Sequence, residues 1–152
     1  MTVEDNLKKM NIQLPEAPSP VGSYVASKIS GNLIYISGQV PFKGDGKLIT
    51  GKVGRELNLE DAQNAAKLCA LNLLAQLKKA CDGNLDKVKG CTKITGYVNS
   101  VDNFTEQPKV INGASDIISK VFGEIGKHTR AAVSVNSLPL GVPVEVDAIF
   151  EI

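Results

Sequence analysis

The sequence has 152 residues, 43% hydrophobic and 22% charged, which excludes a disordered chain and fits one folded domain spanning residues 1–152. Its net charge of +1 gives no electrostatic reason to bind nucleic acid or an anionic membrane. No apolar run approaches the roughly 20 residues of a membrane span, and Met1–Met10 is polar and contains acidic residues, unlike a targeting peptide, so we expect a cytoplasmic protein.

Residues 1–14 are predicted as an N-terminal extension that contains one short amphipathic turn. Its apolar positions are Val3, Leu7 and Met10, which have the spacing of one helix face. The stretch 14–20 contains three prolines and cannot be helical, because each proline forces the residue before it into an extended conformation.

A β-hairpin is predicted next. Its strands are 24–29 and 33–38, and the turn 30–32 reads Ser-Gly-Asn, in which Gly and Asn tolerate a positive φ. Residues 41–54 contain four glycines and are predicted as a loop, with a short strand near Leu48.

The strongest helix signal covers residues 59–80, where small and apolar residues recur at i, i+3, i+4 and i+7. Asn58 followed by Asp61 is typical of a capping box at its start. Gly83 is predicted as the C′ residue at its end. A second helix is predicted over 108–122, because a similar stripe begins after a proline suited to a first turn.

Three further strands are predicted at 88–98, 131–135 and 144–152. The order β-β-(β)-α-β-α-β-β indicates an α+β fold with two helices packed on one face of a mixed sheet. The other face would hold Tyr35 and Tyr97 without a cover. A large exposed apolar face favours self-association, so we expect an oligomer.

Residues able to do chemistry are scarce. The cysteines are Cys69, Cys81 and Cys91. They show no C-x-x-C spacing, and there is a single histidine, His128, so we predict neither a zinc site nor a disulfide framework. The sequence contains no G-x-x-x-x-G-K-[ST] motif, so it gives no indication of nucleotide binding. Only two of the seventeen basic residues are arginines, Arg55 and Arg130.

Three segments carry a specific combination of motifs. They are 31–41 (GNLIYISGQVP), 101–104 with 110–112, and 130–135 (RAAVSV) with 138–146 (LPLGVPVEV). In this order they resemble the RidA/YjgF family of reactive-intermediate deaminases, over roughly residues 15–150. The resemblance implies a chorismate-mutase-like α+β fold and a homotrimer with clefts between subunits. It also implies hydrolysis of enamines or imines such as 2-aminoacrylate to 2-keto acids and ammonia, with no metal or organic cofactor.

Arg130 begins a small apolar strand, and its planar guanidinium can hold a carboxylate by two parallel hydrogen bonds. Ala131 and Ala132 leave room beside it for a small ligand, and we expect the backbone N–H of Ala132 to assist in holding the same carboxylate. The resemblance places the substrate-carboxylate arginine at Arg130. The residues alone leave a structural salt bridge as the alternative.

Glu145 lies on the polar face of the last strand, where a carboxylate near a bound imine can orient or deprotonate a water molecule. The resemblance gives it that role, and the alternative is an ordinary solvated residue. Tyr24 matches the family's ligand-facing tyrosine, although Ser23 stands where the family has proline. Packing at a subunit interface is the alternative for Tyr24.

Three further residues are predicted to bind substrate or to shape its site. Ser37 and Gly38 end the second strand, and Gly38 permits close approach of a ligand or of another chain. Asn112, on the second helix, matches an asparagine of the family, and its alternative is a local hydrogen bond.

Several positions stay open at this stage. His128 is either an acid-base group near Arg130 or a loop residue without a role. Arg55 either covers a neighbouring subunit's cleft or is solvated. Ala132 stands where many relatives carry a reactive cysteine, so thiol chemistry is not expected there. Cys69 and Cys81 lie on the helical apolar stripe and are expected in the core.

The leading hypothesis is a cofactor-free hydrolase of small carboxylate-bearing imines or enamines, with Arg130 and Glu145 as its catalytic residues. A trimer that binds a small carboxylate without turnover is the alternative. Ribonuclease activity, attached to part of the family, is disfavoured by the near-neutral charge and the single histidine.

Overall fold

Five strands and three α-helices make up the fold in the computed structural model, which describes residues 1–152. The helices are α1 (Val3–Lys9), α2 (Leu59–Ala80) and α3 (Gln107–Phe122). The strands are β1 (Ser27–Ser30), β2 (Leu33–Gln39), β3 (Gly90–Asn99), β4 (Thr129–Val135) and β5 (Val144–Glu151). They form one mixed sheet in the order β1-β2-β5-β3-β4, in which only β3 and β4 are parallel. The predicted α+β class is confirmed.

The N-terminal residues form a longer helix than the single turn that their pattern indicated. Helix α1 has seven residues and starts with a capping box, which satisfies backbone N–H groups at its first turn. Val3 and Leu7 are buried. The Asn6 side-chain amide donates to the carbonyl of Val121 at 2.9 Å, so α1 is tied to the end of α3 rather than to the sheet.

The predicted hairpin is present, but its first strand is shorter than predicted. Gly31 has a φ of 62°, the left-handed conformation that its place in the turn requires. Strand β1 begins at Ser27, so the prediction of a strand over 24–26 is wrong. The chain bends back there, and the N–H of Val21 donates to the Tyr24 hydroxyl at 3.4 Å.

Helix α2 has the predicted bounds. Asn58 and Asp61 accept hydrogen bonds from each other's backbone N–H, which confirms the capping box. At the other end the C′ residue is Asp82, with a φ of 54°, so the assignment of Gly83 to that position is wrong. The N–H of Gly83 donates to the Lys78 carbonyl at 2.8 Å, as in a Schellman motif, and aspartate tolerates the left-handed conformation.

The remaining strand boundaries differ from prediction by one or two residues. Strand β3 was expected from Val88, but Val88 follows a 3₁₀ turn at Leu85–Lys87 and the strand starts two residues later. Strand β4 starts at Thr129, two residues earlier than expected. The short strand expected near Leu48 is a single bridge between Phe42 and Leu48.

Two glycines bring α3 close to its neighbours. Gly113 lies against the backbone carbonyl of Gln63 on α2, and Gly96 on β3 lies against the side chain of Ile111 on α3. At both positions an added Cβ would overlap the neighbouring atoms. The position of α3, which starts at Gln107 rather than at the predicted Pro108, is therefore closely defined relative to both α2 and the sheet.

Replacing Gly113 with alanine is expected to destabilise the protein by about 1–2 kcal/mol, because overpacking so close a contact costs about 2–3 kcal/mol and alanine regains about 1 kcal/mol of helix propensity. The carbonyl of Gln63 belongs to the backbone of α2 and cannot rotate away, so this cost exceeds the gain in helix propensity of about 1 kcal/mol. Urea unfolding measures the difference. Gly44→Ala, which meets no atom within 4 Å, is the matched control and should change little. A Gly113→Ala protein as stable as the wild type would show that the helices separate easily.

One face of the sheet carries α2 and α3, and the other is uncovered, as predicted. Tyr35 pairs with Ile149 and Tyr97 pairs with Val133 on the uncovered face. Tyr35 and Val133 are each 45% exposed. None of the three α-helices is both long and apolar enough to cross a bilayer. Such a face favours contact with another chain, and the trimer stays a prediction.

Candidate functional site

The Arg130 side chain lies along α3 and donates three hydrogen bonds to it. Its Nη1 donates to Asn112 Oδ1 at 2.7 Å and to Ser115 Oγ at 3.1 Å, and its Nη2 donates to the Pro108 carbonyl at 3.3 Å. All three acceptors are neutral. The structure thus brings together the predicted residues Arg130 and Asn112, and it adds Ser115, one helical turn after Asn112.

Strand β4 directs Arg130 toward the helices. In the parallel pairing with β3, Arg130 lies opposite Ile94 and Ala132 lies opposite Gly96. Ile94 is fully buried beneath the helices, so Arg130 and Ala132 are on the helix side of the sheet. Because β4 is an edge strand, the guanidinium reaches α3 while it remains partly exposed. The small side chain of Ala132 leaves space beside it.

The guanidinium keeps free donors for an anion. Of its five N–H groups, the three contacts use both on Nη1 and one on Nη2. The Nε–H and the other Nη2–H have no acceptor in the chain, and such a pair can hold a carboxylate through two hydrogen bonds. The four ion pairs of the chain involve other residues, so the alternative of a structural salt bridge has no acidic partner within the protomer.

A second group of predicted site residues lines a cavity of about 670 Å³. The four residues are Tyr24, Ser37, Gly38 and Glu145. The cavity lies where β2 departs from regular pairing with β5, because the register shifts between Ile36 and Gln39. Such a bulge commonly turns side chains and backbone toward a site.

Gly38 makes room for the carboxylate of Glu145. A Cβ on Gly38 would lie 2.7 Å from Glu145 Oε1. The close approach predicted at Gly38 is therefore made by a side chain of the same protomer. The Ser37 hydroxyl donates to the carbonyl of Val25 at 2.7 Å, and Tyr24 is about half exposed at the edge of the cavity.

Burial raises the pKa of Glu145, and the charge of Asp147, two residues along the same face, raises it further. Tyr97, opposite Glu145 on β3, donates its hydroxyl to Asp147 at 3.0 Å. Burial and the interaction with Asp147 also raise the pKa of Tyr97. A carboxyl group whose pKa is shifted toward neutrality is well suited to exchange a proton with a water molecule or a substrate.

The two groups of residues do not meet within one protomer. The arginine group is Arg130, Asn112, Ser115 and Ala132, and the glutamate group is Tyr24, Ser37, Gly38 and Glu145. Arg130 is on the helix side of the sheet. Glu145 alternates with Val144 and Val146, which are buried beneath the helices, so it points to the uncovered face. A small ligand held by both groups would lie between two copies of the chain.

Sequence reasoning missed three residues around these groups. Ser115 lies three positions after Asn112, on the same side of α3, and that spacing is a signal that could have indicated it. Asp147 shares the polar face of β5 with Glu145. Tyr97 could not be placed opposite Glu145 without the register between β3 and β5.

Arg55 is exposed in the loop before α2 and makes no side-chain hydrogen bond or ion pair within the protomer. Both predictions for it, a cover for a neighbouring subunit's cleft or a solvated residue, therefore stay open. No group of three or more His, Cys, Asp or Glu side chains is close enough together to hold a metal ion, so no residue is assigned as a metal ligand.

The three cysteines are buried, and the native protein is expected to resist alkylation. Burial raises the pKa of the Cys91 thiol to about 12 and also raises the pKa values of Cys69 and Cys81. The reactive thiolate is therefore scarce at neutral pH. Mass spectrometry after treatment with iodoacetamide should find little label on the native protein and three labels on the unfolded protein. Rapid native labelling at any one cysteine would contradict this packing.

Comparison with known proteins gives consistent matches across nearly the whole chain. The family model described as "YjgF/chorismate mutase-like, putative endoribonuclease" matches residues 4–150. Protein TCP17 of Trypanosoma cruzi is 45% identical over 151 residues, which cover 99% of this chain and 94% of that protein.

Two solved structures are also similar in sequence and fold. Atu1372 of Agrobacterium tumefaciens, a protein of unknown function, is 49% identical with a TM-score of 0.91, over 99% of this chain and 94% of that one. A Shewanella oneidensis protein, described as a "putative endoribonuclease", is 33% identical with a TM-score of 0.96, over 100% of both chains.

Proposed function

The chain belongs to the YjgF/RidA family, and we propose that it hydrolyses small enamines or imines that bear a carboxylate, giving a 2-keto acid and ammonia. The observation that carries this proposal is the guanidinium of Arg130. It is oriented by three neutral acceptors on α3, has no acidic partner in the chain, and keeps two N–H donors free. A fixed arginine with free donors is suited to a small carboxylate.

Besides a group that holds the carboxylate, hydrolysis requires a base that accepts a proton from water, and Glu145 supplies this base. An enamine first takes up a proton from solvent at its β-carbon and becomes the protonated imine. Water adds to the imine carbon, the electron pair of the C=N bond moves to nitrogen, and Glu145 accepts a proton from the water. Glu145 then returns this proton to the amino nitrogen of the carbinolamine, the C–N bond breaks to release ammonia, and the hydroxyl proton passes to solvent as the C=O bond forms. The raised pKa of Glu145 supports this role because a base with a pKa nearer neutrality takes up the proton more readily.

No cofactor enters these steps. Arg130 holds the carboxylate next to the reacting carbon, and the Glu145 carboxylate stabilises the positive charge of a protonated imine. Positioning and electrostatics of this kind account for large rate accelerations without a covalent intermediate.

The site is completed by a second copy of the chain, in the homotrimer that the family resemblance implies. Two observations support this part of the proposal. The arginine and glutamate groups face opposite sides of one sheet, and the uncovered sheet face exposes Tyr35 and Val133. In a rotationally symmetric oligomer the same interface recurs between each pair of neighbouring copies. Every copy then gives its arginine group to one site and its glutamate group to another.

RNA cleavage is a second candidate, because the matched family description and the Shewanella oneidensis structure both name an endoribonuclease. A net charge of +1 and the free donors of a single arginine offer little to a polyanionic backbone. Incubation of the purified protein with single-stranded RNA tests this candidate, with Arg130→Ala and Glu145→Ala as controls. Equal cleavage by all three proteins would indicate a contaminant.

To test the deaminase activity, 2-aminoacrylate is generated in the assay mixture by a pyridoxal-phosphate-dependent lyase, and formation of the keto acid is followed. We expect the protein to accelerate this step above spontaneous hydrolysis, in proportion to its concentration. Binding of 2-ketobutyrate without any acceleration would instead identify a carboxylate-binding protein without turnover. If the protein neither bound 2-ketobutyrate nor accelerated the reaction, both the deaminase and the carboxylate-binding readings of the site would be excluded.

A further inference from the structure

His128, the only histidine of the chain, has a partner at each ring nitrogen. Its Nδ1 is 2.7 Å from the carbonyl oxygen of Gly126, and its Nε2 is 2.9 Å from Ser115 Oγ. A carbonyl oxygen can only accept, so Nδ1 carries the hydrogen. In the neutral ring Nε2 is then an acceptor, and it receives the hydrogen of the Ser115 hydroxyl.

The direction of that hydrogen decides what Ser115 offers to Arg130. With its hydrogen turned toward His128, Ser115 Oγ presents a lone pair to Arg130 Nη1 at 3.1 Å. A freely rotating hydroxyl would spend part of its time with its hydrogen directed at the cation, which is repulsive. The imidazole therefore fixes the polarity of the contact between Ser115 and Arg130.

The far end of this chain of hydrogen bonds is anchored by packing. Gly126 is buried, and a Cβ there would lie 2.6 Å from the carbonyl oxygen of Ile118 on α3. The backbone at Gly126 is therefore held against α3, and its carbonyl is a fixed acceptor for His128.

We propose that His128 is a positioning residue, which orients the Ser115 hydroxyl and so holds the Arg130 guanidinium with its free donors toward the substrate carboxylate. This inference rests on the proposed function for its effect on catalysis. The hydrogen bonds themselves do not depend on what the protein turns over.

Two variants separate this role from a merely structural one. Glutamine places an acceptor near the position of Nε2 and can keep the bond to Ser115, whereas asparagine places a donor near Nδ1 and keeps only the bond to Gly126. We expect His128→Asn to raise the Kd for 2-ketobutyrate and the KM by roughly 3- to 10-fold, the worth of one neutral hydrogen bond, with kcat little changed. His128→Gln should stay within about 2-fold of the wild type.

A double-mutant cycle with Ser115→Ala tests whether the effect passes through Ser115. Once the hydroxyl is absent, His128→Asn should have no further effect on the Kd for 2-ketobutyrate. Equal losses in His128→Asn and His128→Gln, or additive losses with Ser115→Ala, would overturn the proposal. Urea unfolding of each variant checks that all of them remain folded.

A spectroscopic measurement decides the matter even if the protein is not a deaminase. The imidazole signals need no assignment because there is one histidine, and long-range nitrogen–proton NMR should show hydrogen on Nδ1 and none on Nε2. The Arg130 Nε–H signal should shift in His128→Asn and not in His128→Gln, while Arg55 supplies an internal reference. Hydrogen on Nε2, or an Arg130 signal indifferent to His128→Asn, would overturn the proposed positioning role.

Discussion

Replacing Arg130 with lysine is expected to lower kcat/KM for the imine substrate by at least about 100-fold, although the positive charge is kept. Lysine is a point charge on a flexible stem and cannot present two parallel donors. Hydrogen bonds to charged groups contribute about 1.5–3 kcal/mol each, so loss of two corresponds to roughly 10²- to 10⁴-fold. Steady-state kinetics and calorimetry with 2-ketobutyrate measure the loss, and Arg130→Ala should lose still more.

Arg55 provides the matched control, since it is the one other arginine of the chain and is exposed without a side-chain partner. Arg55→Lys and Arg55→Ala should retain the activity and affinity of the wild type. A 100-fold loss at Arg55 would mean that this loop enters a neighbour's site, as one of the two sequence hypotheses held. Full activity of Arg130→Lys would show that the carboxylate is held elsewhere.

Glu145→Gln is expected to lower kcat by about 10²- to 10⁴-fold, the range of general base catalysis. Binding of 2-ketobutyrate should be nearly unchanged, because the carboxylate is held by Arg130. Glu151→Gln, at the far end of the same strand, is the control and should keep its kcat. Retention of most of the activity by Glu145→Gln would remove Glu145 from the mechanism.

The raised pKa of Glu145 also predicts how activity and stability depend on pH. The ionised form is the base, so kcat/KM should rise with pH through a value above the ordinary pKa of a glutamate. In the same window the folded protein binds more protons at Glu145 than the unfolded chain does, so the contribution of this group to stability falls as pH rises. Glu145→Gln, which cannot ionise, should therefore be at least as stable as the wild type at neutral pH. If Glu145→Gln were less stable than the wild type at neutral pH, burial could not be the cause of the raised pKa of Glu145.

Local signals were sufficient for most of the elements. The capping box at Asn58 and Asp61 and the stripe that follows them depend only on neighbours along the chain, and α2 has the predicted bounds. The start of β1 and the C′ residue of α2 were placed wrongly, because each depends on a competition between backbone hydrogen bonds. At the C′ position, Asp82 adopts a conformation that glycine would have adopted more easily.

The contacts of the candidate site depend on tertiary distances that a sequence pattern does not contain. The contact between Arg130 and Ser115 exists because Gly96 and Gly113 let α3 pack closely against the sheet and α2. The role of Gly38 depends on a shift of register that brings Glu145 against it. The family resemblance supplied the identity of the predicted site residues, but only the alternation along β4 and β5 shows that they separate into two groups.

The most direct test of a site shared between two copies is complementation between two inactive variants. Arg130→Ala subunits keep Glu145, and Glu145→Gln subunits keep Arg130. Co-expression with two different affinity tags and purification through both tags isolates hybrid oligomers. In a hybrid trimer one of the three junctions receives an intact arginine group and an intact glutamate group, so activity should return to about one third of the wild type. Hybrid oligomers as inactive as either variant alone would contradict a shared site, because a site within one copy would be defective in every subunit.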